Sequence, residues 1–314
     1  MPLPTPQPSA AAAATHPGPW AAWLAAVRPR SLPVAVSPVL VGAALGWQRQ
    51  GSIDALSALL ILLASLMMQV VCNMQNDVGY TARGAERCGN RTGLPRATAL
   101  GWLGLGEVRG AIVAVSLLSS LLGLWLFARH GWPVLAIGSA SLAYMGGPRP
   151  IAYTPFGELT VFAFFGLVAV CGSDWVLTGE VGAASIAAGS AIGTLAAAAL
   201  TINNHRDIAH DRSVGRRTFA VCFGARGSLA LFTAEVAAAF VLLPAIAALA
   251  GSAWLLLPLL LAPRALALRR DLATCPPGLG FNGLLFRCFL LQLAYAALLS
   301  AGAVLARLGP FGGD

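Results

Sequence analysis

Long apolar runs, separated by short polar breaks, constrain this chain more than any other feature of its sequence. Ile53–Asn73, Ala183–Ile202 and Leu284–Ala306 are examples, and each is long enough to cross a bilayer as a helix. Apolar residues make up 57% of the chain and charged residues only 10%, against roughly a quarter in an ordinary soluble domain. The sequence therefore predicts an all-α, polytopic membrane protein. It excludes a disordered chain, a coiled coil and a soluble nucleic-acid-binding protein, so we expect no nucleic acid as a partner.

Nine apolar runs predict a bundle of nine transmembrane helices in one domain, residues 20–308. Residues 1–19 are rich in Pro and Ala and predict a disordered cytoplasmic tail, and residues 309–314 a short C-terminal tail. The predicted spans are Leu32–Trp47, Ile53–Asn73, Val108–Ala128, Trp132–Met145, Phe156–Leu177, Ala183–Ile202, Ser228–Ala250, Ala253–Leu268 and Leu284–Ala306.

The distribution of arginine predicts the orientation of the bundle. All 20 basic residues are Arg. With the N-terminus placed in the cytoplasm, only Arg49, Arg129 and Arg307 fall outside. Cytoplasmic loops of membrane proteins carry an excess of basic residues. We therefore expect a multi-pass protein of the cell (inner) membrane with its N-terminus in the cytoplasm.

Two long polar loops, Met74–Glu107 and Asn203–Gly227, follow the second and sixth predicted spans on the inner side. Asp207 and Asp211 are four residues apart, so on a continuing helix they would share a face. Two neighbouring carboxylates repel each other unless a cation lies between them, and Mg²⁺ prefers such oxygen ligands. We expect these carboxylates to lie at a water-filled mouth, although a plain Asp–Arg pair at a helix end is the alternative.

Arginines accompany the acidic residues in both loops. A guanidinium group binds phosphate oxygens in a fork, and a metal ion can bridge such oxygens. The combination suits a diphosphate ligand. These arginines include Arg83, Arg91 and Arg96 in the first loop and Arg206 and Arg216 in the second.

Three segments carry a resemblance to a known family. They are WLAAVRPRSLPVAVSPVLVG (Trp23–Gly42), the segment Tyr144–Trp175 that begins YMGGPRPIAY, and the second polar loop. That loop matches the pattern NNxRDxxxDxxxGKxT, except that Arg216 stands where Lys is usual. The chain resembles the UbiA superfamily of intramembrane prenyltransferases, and within it the branch that contains the dihydroxynaphthoate polyprenyltransferases.

The resemblance implies a UbiA-type fold and transfer of a polyprenyl group from a polyprenyl diphosphate to an aromatic acceptor such as dihydroxynaphthoate. It implies Mg²⁺ as cofactor, the lipid bilayer as partner and a place in menaquinone biosynthesis. The implied catalytic residues are Asp77, Asp207 and Asp211. The implied metal ligands are Asn76, Asp77, Glu86, Asn203, Asp207 and Asp211. The implied substrate-binding residues are Tyr80, Arg83, Arg91, Arg96, Arg149, Tyr153, Arg206 and Arg216.

The first loop departs from the family pattern NDxxDxxxxxD. Asn76 and Asp77 match, but Tyr80 and Glu86 stand where the second and third Asp are usual. Either Asp77 and Glu86 suffice for a metal ion, or the chain has changed its substrate or lost activity. If the site binds metal, Tyr80→Asp should lower the Mg²⁺ concentration that gives half-maximal activity. A transporter or a non-catalytic homologue remains the alternative function.

Carboxylates inside the predicted spans are further candidates, because a charged group within a membrane is costly and usually functional. Glu158 and Asp174 lie in the fifth predicted span and Glu235 in the seventh. Asp174 is near the outer end of its span, where a structural role is favoured.

Overall fold

The computed structural model describes residues 17–82, 93–136 and 154–309, and all regular structure in these ranges is helical. Short 3₁₀ helices, Pro29–Ser31 and Ala253–Leu261, precede α2 and α10, respectively. The α-helices are α1 Pro19–Val27, α2 Pro33–Gln50, α3 Ala55–Ala82, α4 Leu105–His130, α5 Gly157–Thr178, α6 Ala183–Arg206, α7 Ile208–Ser213, α8 Phe219–Val241, α9 Leu243–Leu249, α10 Ala262–Thr274 and α11 Gly280–Leu308. The middle of α5, Ala163–Val168, is π-helical.

Six helices in the described ranges are long and apolar enough to cross a membrane. A seventh span results if the bent pair Pro19–Ser31 and Pro33–Gln50, which meet at 43°, counts as one. The six are Ala55–Ala82, Leu105–His130, Gly157–Thr178, Ala183–Arg206, Phe219–Leu249 and Gly280–Leu308. The predicted all-helical membrane bundle is confirmed at this level, but nine spans are not.

The first predicted span, Leu32–Trp47, counts only as part of this bent pair, and two others account for the rest of the difference. The fourth, Trp132–Met145, lies mostly outside the described residues. The eighth, Ala253–Leu268, forms the 3₁₀ helix Ala253–Leu261 followed by α10. Pro258 lies inside the 3₁₀ segment, and proline lacks the N–H that a regular α-helix requires. This region is therefore helical without being one long α-helix.

The bundle is centred on α6, most of whose residues are buried. The main core lies where α6 meets α2, α8 and α11, around Val41, Leu195, Phe232 and Tyr295. Small residues allow α5 to approach α6 closely, because a Cβ atom on Gly193 would lie 2.5 Å from the carbonyl oxygen of Phe162. This packing sets the position of the C-terminal end of α6, where the second polar loop begins.

The C-terminal part of α3 carries the first polar loop away from the bilayer centre. The helix has 28 residues and is therefore about 42 Å long, more than the hydrocarbon thickness of a bilayer. Its last turns pack with α1 and the returning loop in a second apolar cluster around Ala26, Met74, Ala97 and Leu103. Asn76, Asp77 and Tyr80 are thus presented at the same end of the bundle as the second loop.

At the opposite end of the bundle, an ion pair between Arg49 and the buried Asp174 joins three elements. The guanidinium of Arg49 donates two hydrogen bonds, of 3.1 and 3.0 Å, to the fully buried carboxylate of Asp174. That carboxylate also accepts from the Gly182 backbone N–H at 3.0 Å. These bonds join α2, α5 and the turn before α6, which assigns Asp174 to structure and removes it from the candidate catalytic carboxylates.

Candidate active site

A cavity of about 260 Å³ opens among the 3₁₀ helix Pro29–Ser31, α2, α3, α5, α6 and α11. Its wall combines apolar side chains with a group of arginines and asparagines. Six of the residues predicted for the site line it: Asn76, Tyr80, Arg96, Asn203, Arg206 and Arg216. Arg83, Glu86, Arg91, Arg149 and Tyr153, which were predicted for the same site, lie outside the described residues.

The second loop places its first carboxylate against an arginine. The helix α6 ends at Arg206, and Asp207 leaves the helical conformation with φ −95° and ψ 9°. Arg206 donates to both oxygens of Asp207, at 2.8 and 2.6 Å, and also to Asn203 and to Asn282 of α11. Arg206 is therefore held in one orientation at the cavity wall, with its charge balanced by Asp207.

The second carboxylate of this loop is also paired. Asp211 accepts a 2.6 Å hydrogen bond from Nη1 of Arg216. Its backbone N–H donates to the carbonyl of Asp207 at 2.7 Å. The two aspartates are therefore joined by a helical hydrogen bond, although the chain breaks at Asp207 between α6 and α7. Burial raises the pKa of the Asp211 carboxyl above its ordinary value, and the guanidinium of Arg216 opposes that shift.

The expectation of a water-filled mouth for these two carboxylates is wrong. Asp207 is 4% exposed and Asp211 fully buried. Arg206 and Arg216 line the cavity and pair with the two carboxylates, neither of which is among the lining residues. The sequence indicates that these acidic residues lie near the site. Which side chains face the cavity depends on how the loop folds back.

In the first loop, Asp77, the aspartate that matches the family pattern, has a different role. Asp77 is fully buried, and its two oxygens accept from the backbone N–H groups of Ala97 and Thr98, at 3.0 and 2.9 Å. The hydroxyl of Thr98 donates to the same carboxylate. Next to these residues, Arg96 donates to the carbonyl of Asn76 at 2.8 Å. Asp77 thus fastens the returning chain to α3 and brings Arg96 to the cavity.

The ring of Tyr80 lies close to two guanidinium groups. The Cζ atom of Arg96 is 3.8 Å from the centre of the Tyr80 ring, and that of Arg216 is 5.2 Å from it. Both distances are within the range of cation–π attraction. One residue from each polar loop therefore meets on the ring of Tyr80.

Sequence reasoning missed several polar residues of the cavity. Arg28 and Arg30, counted only as orientation signals, line the wall. Asn204 also lines it and donates a 2.8 Å hydrogen bond to Glu158. No hydrogen-bond partner is present in the described ranges for Oδ1 of Asn204 or for Oε2 of Glu158. The signal for Glu158 was its position in an apolar span, but nothing local indicated Asn204 as its partner.

An apolar cavity of about 230 Å³ adjoins the polar one. It lies among α2, α3, α4 and α5 and is lined by side chains such as Pro38, Ile61 and Phe164. Cys72 and Phe165 line both cavities. A ligand with a charged head and a long apolar tail could therefore occupy both at once.

A Mg²⁺ ion needs several oxygen ligands, which the described residues supply only in part. No group of three or more His, Cys, Asp or Glu side chains that could hold a metal ion occurs among them. Two buried oxygens without a donor, Oδ2 of Asp211 and Oδ1 of Asn204, lie in or next to the second loop. Such oxygens suit Mg²⁺, which is commonly bound by one or two carboxylates together with substrate phosphates. The second loop fits this mode of binding.

More than half of the chain matches a known protein family. Residues 35–277 match the UbiA prenyltransferase family. The chain belongs to the UbiA prenyltransferase family. The resemblance predicted from its loops is confirmed, and the protein is an enzyme of the prenyltransferase class.

Curated relatives carry a common name. The 1,4-dihydroxy-2-naphthoate octaprenyltransferase of Escherichia coli is 36% identical over 213 residues, which cover 65% of this chain and 68% of that protein. The enzyme of the same name from Bacillus subtilis is 31% identical over 242 residues, covering 76% and 77%. The one from Mycobacterium tuberculosis is 31% identical over 270 residues, covering 79% and 84%.

Solved structures share the fold at low sequence identity. A UbiA homologue from Archaeoglobus fulgidus, bound to GPP and Mg²⁺, has a TM-score of 0.62 and 18% identity, and covers 89% of this chain and 99% of its own. The apo structure of a UbiA homologue from Aeropyrum pernix has a TM-score of 0.65 and 21% identity, covering 88% and 98%. The predicted UbiA-type fold is confirmed by these neighbours.

Proposed function

We propose that this enzyme transfers a polyprenyl group from a prenyl diphosphate to 1,4-dihydroxy-2-naphthoate, with Mg²⁺ as cofactor, in menaquinone biosynthesis. The observation that carries the proposal is the adjacency of the two cavities. Arginines of both polar loops line the first, an apolar wall forms the second, and Cys72 and Phe165 line both. The names of the curated relatives support this acceptor.

Arg96, Arg206 and Arg216 would bind the diphosphate and stabilise the charge that develops when the allylic C–O bond breaks. Mg²⁺, when bound, would neutralise further charge on the leaving diphosphate. The apolar wall would exclude water from the allylic cation until the aromatic ring attacks it. A new C–C bond then forms on the ring as its carboxyl group leaves as CO₂.

Asp207, Asp211 and Asn203 are the residues we propose for the metal ion. Arg206 and Arg216 already balance the charges of the two carboxylates, so the site without substrate has no excess of negative charge to attract a divalent cation. The diphosphate would supply that charge. We therefore expect Mg²⁺ to bind weakly alone and much more tightly with a prenyl diphosphate. We do not extend the metal proposal to Asp77, because its oxygens accept from the backbone N–H groups of Ala97 and Thr98 and so attach the loop to α3, whereas the donor to Asp207 and Asn203 is a side chain, Arg206.

The test uses the purified full chain in lipid nanodiscs with Mg²⁺, a long prenyl diphosphate and a panel of aromatic acceptors. We expect release of pyrophosphate and CO₂ with dihydroxynaphthoate, and no CO₂ with 4-hydroxybenzoate. Asp207→Asn and Asp211→Asn should abolish turnover while the protein remains folded in the nanodisc. If none of the acceptors in the panel leads to release of pyrophosphate, the non-catalytic or transporter alternative is supported.

We also propose that the N-terminus and the cavity face the cytoplasm across the cell membrane. The arginines that line the cavity, among them Arg28, Arg30 and Arg96, cluster at one end of the bundle, in agreement with the positive-inside rule. Reporter fusions at His130 and Gly251 should give an external signal. A cytoplasmic signal at either position would contradict the proposed orientation.

A further inference from the structure

A third cavity, of about 330 Å³, lies between α10 and α11 and shares no lining residue with the polar and apolar cavities of the candidate active site. Six leucine and alanine side chains line it together with two arginines, Arg264 of α10 and Arg287 of α11. We call this cavity the α10–α11 groove. Guanidinium groups beside an apolar wall need an anion or water as a partner.

The α10–α11 groove has a buried floor and an exposed rim. Leu261, Leu268 and Leu291 are at most 5% exposed and belong to the main core, whereas Leu290 is 44% exposed. The helix α11 is long and apolar enough to cross a membrane, so leucines exposed along it would contact acyl chains. The groove is therefore open to the lipid phase.

The position of Arg264 leaves its charge without compensation from the chain. Asp271 of α10 pairs with Arg287 near the end of the bundle where α10 ends and α11 begins. Arg264 lies seven residues before Asp271, about 10 Å along the helix and away from that end. It is exposed, and no residue in the described ranges forms an ion pair or a hydrogen bond with it. A charge beside lipid is costly unless it is paired, so we expect its partner to come from outside the chain.

The charges around the groove favour an anionic ligand. Arg287 donates to Asp271 at 2.5 Å, and both side chains are about half exposed, at 46% and 49%. Arg269 and Arg270 add two more positive charges to α10, in which Asp271 is the single acidic residue. An anionic headgroup compensates this excess of positive charge, whereas a zwitterionic headgroup carries no net charge to do so.

We propose that the α10–α11 groove binds an anionic phospholipid, with its phosphate at Arg264 and Arg287 and one acyl chain along the leucines. A guanidinium binds two phosphate oxygens in a fork, and the long stem of an arginine lets its charged group reach a phosphate from an apolar wall. Basic pockets between membrane helices bind anionic headgroups in this way. The proposal does not depend on the proposed function, because the groove is separate from the candidate active site.

The test measures lipid binding by the purified full chain in detergent. Phosphatidylglycerol and phosphatidylcholine with identical acyl chains are titrated separately, and bound lipid is counted by native mass spectrometry. Since each arginine near an anionic headgroup contributes about fivefold in affinity, the parent should bind phosphatidylglycerol at least about fivefold more tightly than phosphatidylcholine.

Single substitutions locate the site. Arg264→Gln and Arg287→Gln should each weaken binding of phosphatidylglycerol about fivefold and leave binding of phosphatidylcholine unchanged. Arg270→Gln is the matched control, because it removes the same charge from α10 but does not line the groove, and it should stay within about twofold of the parent. Ala267→Phe keeps the charge and should also weaken binding, since the ring would occupy the space of the acyl chain.

The unfolding midpoint in phosphatidylcholine shows whether a variant is folded. Arg264 is exposed and unpaired within the described ranges, so Arg264→Gln should keep the parental midpoint. If Arg287→Gln lowers the midpoint through the loss of its pair with Asp271, Arg264→Gln decides the question alone.

Two results would overturn the lipid site. In the first, the parent binds the two phospholipids equally well. In the second, Arg270→Gln loses as much affinity for phosphatidylglycerol as Arg264→Gln does, which would show a diffuse attraction to the charge of α10 without a defined groove. Neither result affects the proposed prenyl transfer, which is measured separately by release of pyrophosphate.

Discussion

Replacing Asp77 by asparagine tests whether this residue anchors the first loop or binds a metal ion. The side chain keeps its shape, but one of the two acceptor oxygens becomes an NH₂ group. The carboxylate now accepts from Ala97 N–H at 3.0 Å, Thr98 N–H at 2.9 Å and the Thr98 hydroxyl. In Asp77→Asn the remaining oxygen can serve the two Thr98 donors, while the NH₂ group faces the N–H of Ala97.

The expected loss follows from these contacts. One hydrogen bond to a charged group disappears, and the buried N–H of Ala97 is left without an acceptor, which together cost about 2–4 kcal/mol. The cost falls mainly on the attachment of residues 93–103 to α3 rather than on the whole bundle. Because Arg96 is in this segment, kcat/KM for the prenyl diphosphate should fall by about two orders of magnitude.

Hydrogen exchange of residues 93–103 measures the anchor, and the Mg²⁺ dependence of activity measures the metal role. In Asp77→Asn we expect faster exchange and an unchanged Mg²⁺ concentration for half-maximal activity. Thr98→Val, which removes only the hydroxyl donor, should shift exchange in the same direction by about 1 kcal/mol. Unchanged exchange in Asp77→Asn, combined with a sharply raised Mg²⁺ requirement, would refute the anchor and restore Asp77 as a metal ligand.

Three further substitutions test other parts of the structure. Glu158→Gln frees the amide of Asn204, which lines the cavity proposed for the diphosphate, to rotate, since glutamine can donate as well as accept. KM for the prenyl diphosphate should therefore rise five- to tenfold, about 1 kcal/mol; an unchanged value would contradict it. Asp174→Asn removes the buried anion that binds Arg49, which keeps only the exposed Glu180 as an ionic partner, and should destabilise the fold by about 2 kcal/mol at unaltered kcat; lost turnover at the parental unfolding midpoint would assign Asp174 to catalysis. Gly193→Leu places a side chain against the backbone of α5 and should cost about 3 kcal/mol, seen as a lower unfolding midpoint; a parental midpoint would show that this approach is loose.

Much of the fold could be predicted because membrane spans are encoded locally. A helix that crosses a bilayer satisfies its own backbone hydrogen bonds, so a long apolar run suffices to identify it. The runs that became α3, α4, α6 and α11 show this. The run at Ala253–Leu268 does not, because Pro258 and the turn into α10 interrupt a single α-helix. The apolar composition of a run does not show where an α-helix is interrupted.

The candidate site was predictable in part for a similar reason. Polar residues that follow an apolar run must lie at a membrane face, and two such loops on one side could be expected to meet. Asn76, Tyr80, Arg96 and Arg216 do share one cavity. Arg28 was overlooked, because a basic residue before the first span serves equally well as an orientation signal.

The sequence by itself determined the class of protein, its family and the two loops from which the site is built. These follow from hydropathy and from residue spacing over a few helical turns, both of which are local properties. Only the tertiary structure decided the partners of each side chain. Asp77 meets donors 20 and 21 residues away, and Tyr80 meets an arginine from the other loop. Such pairings depend on how each loop folds back over the bundle. The spacing of residues within one loop does not determine which distant residues it will contact.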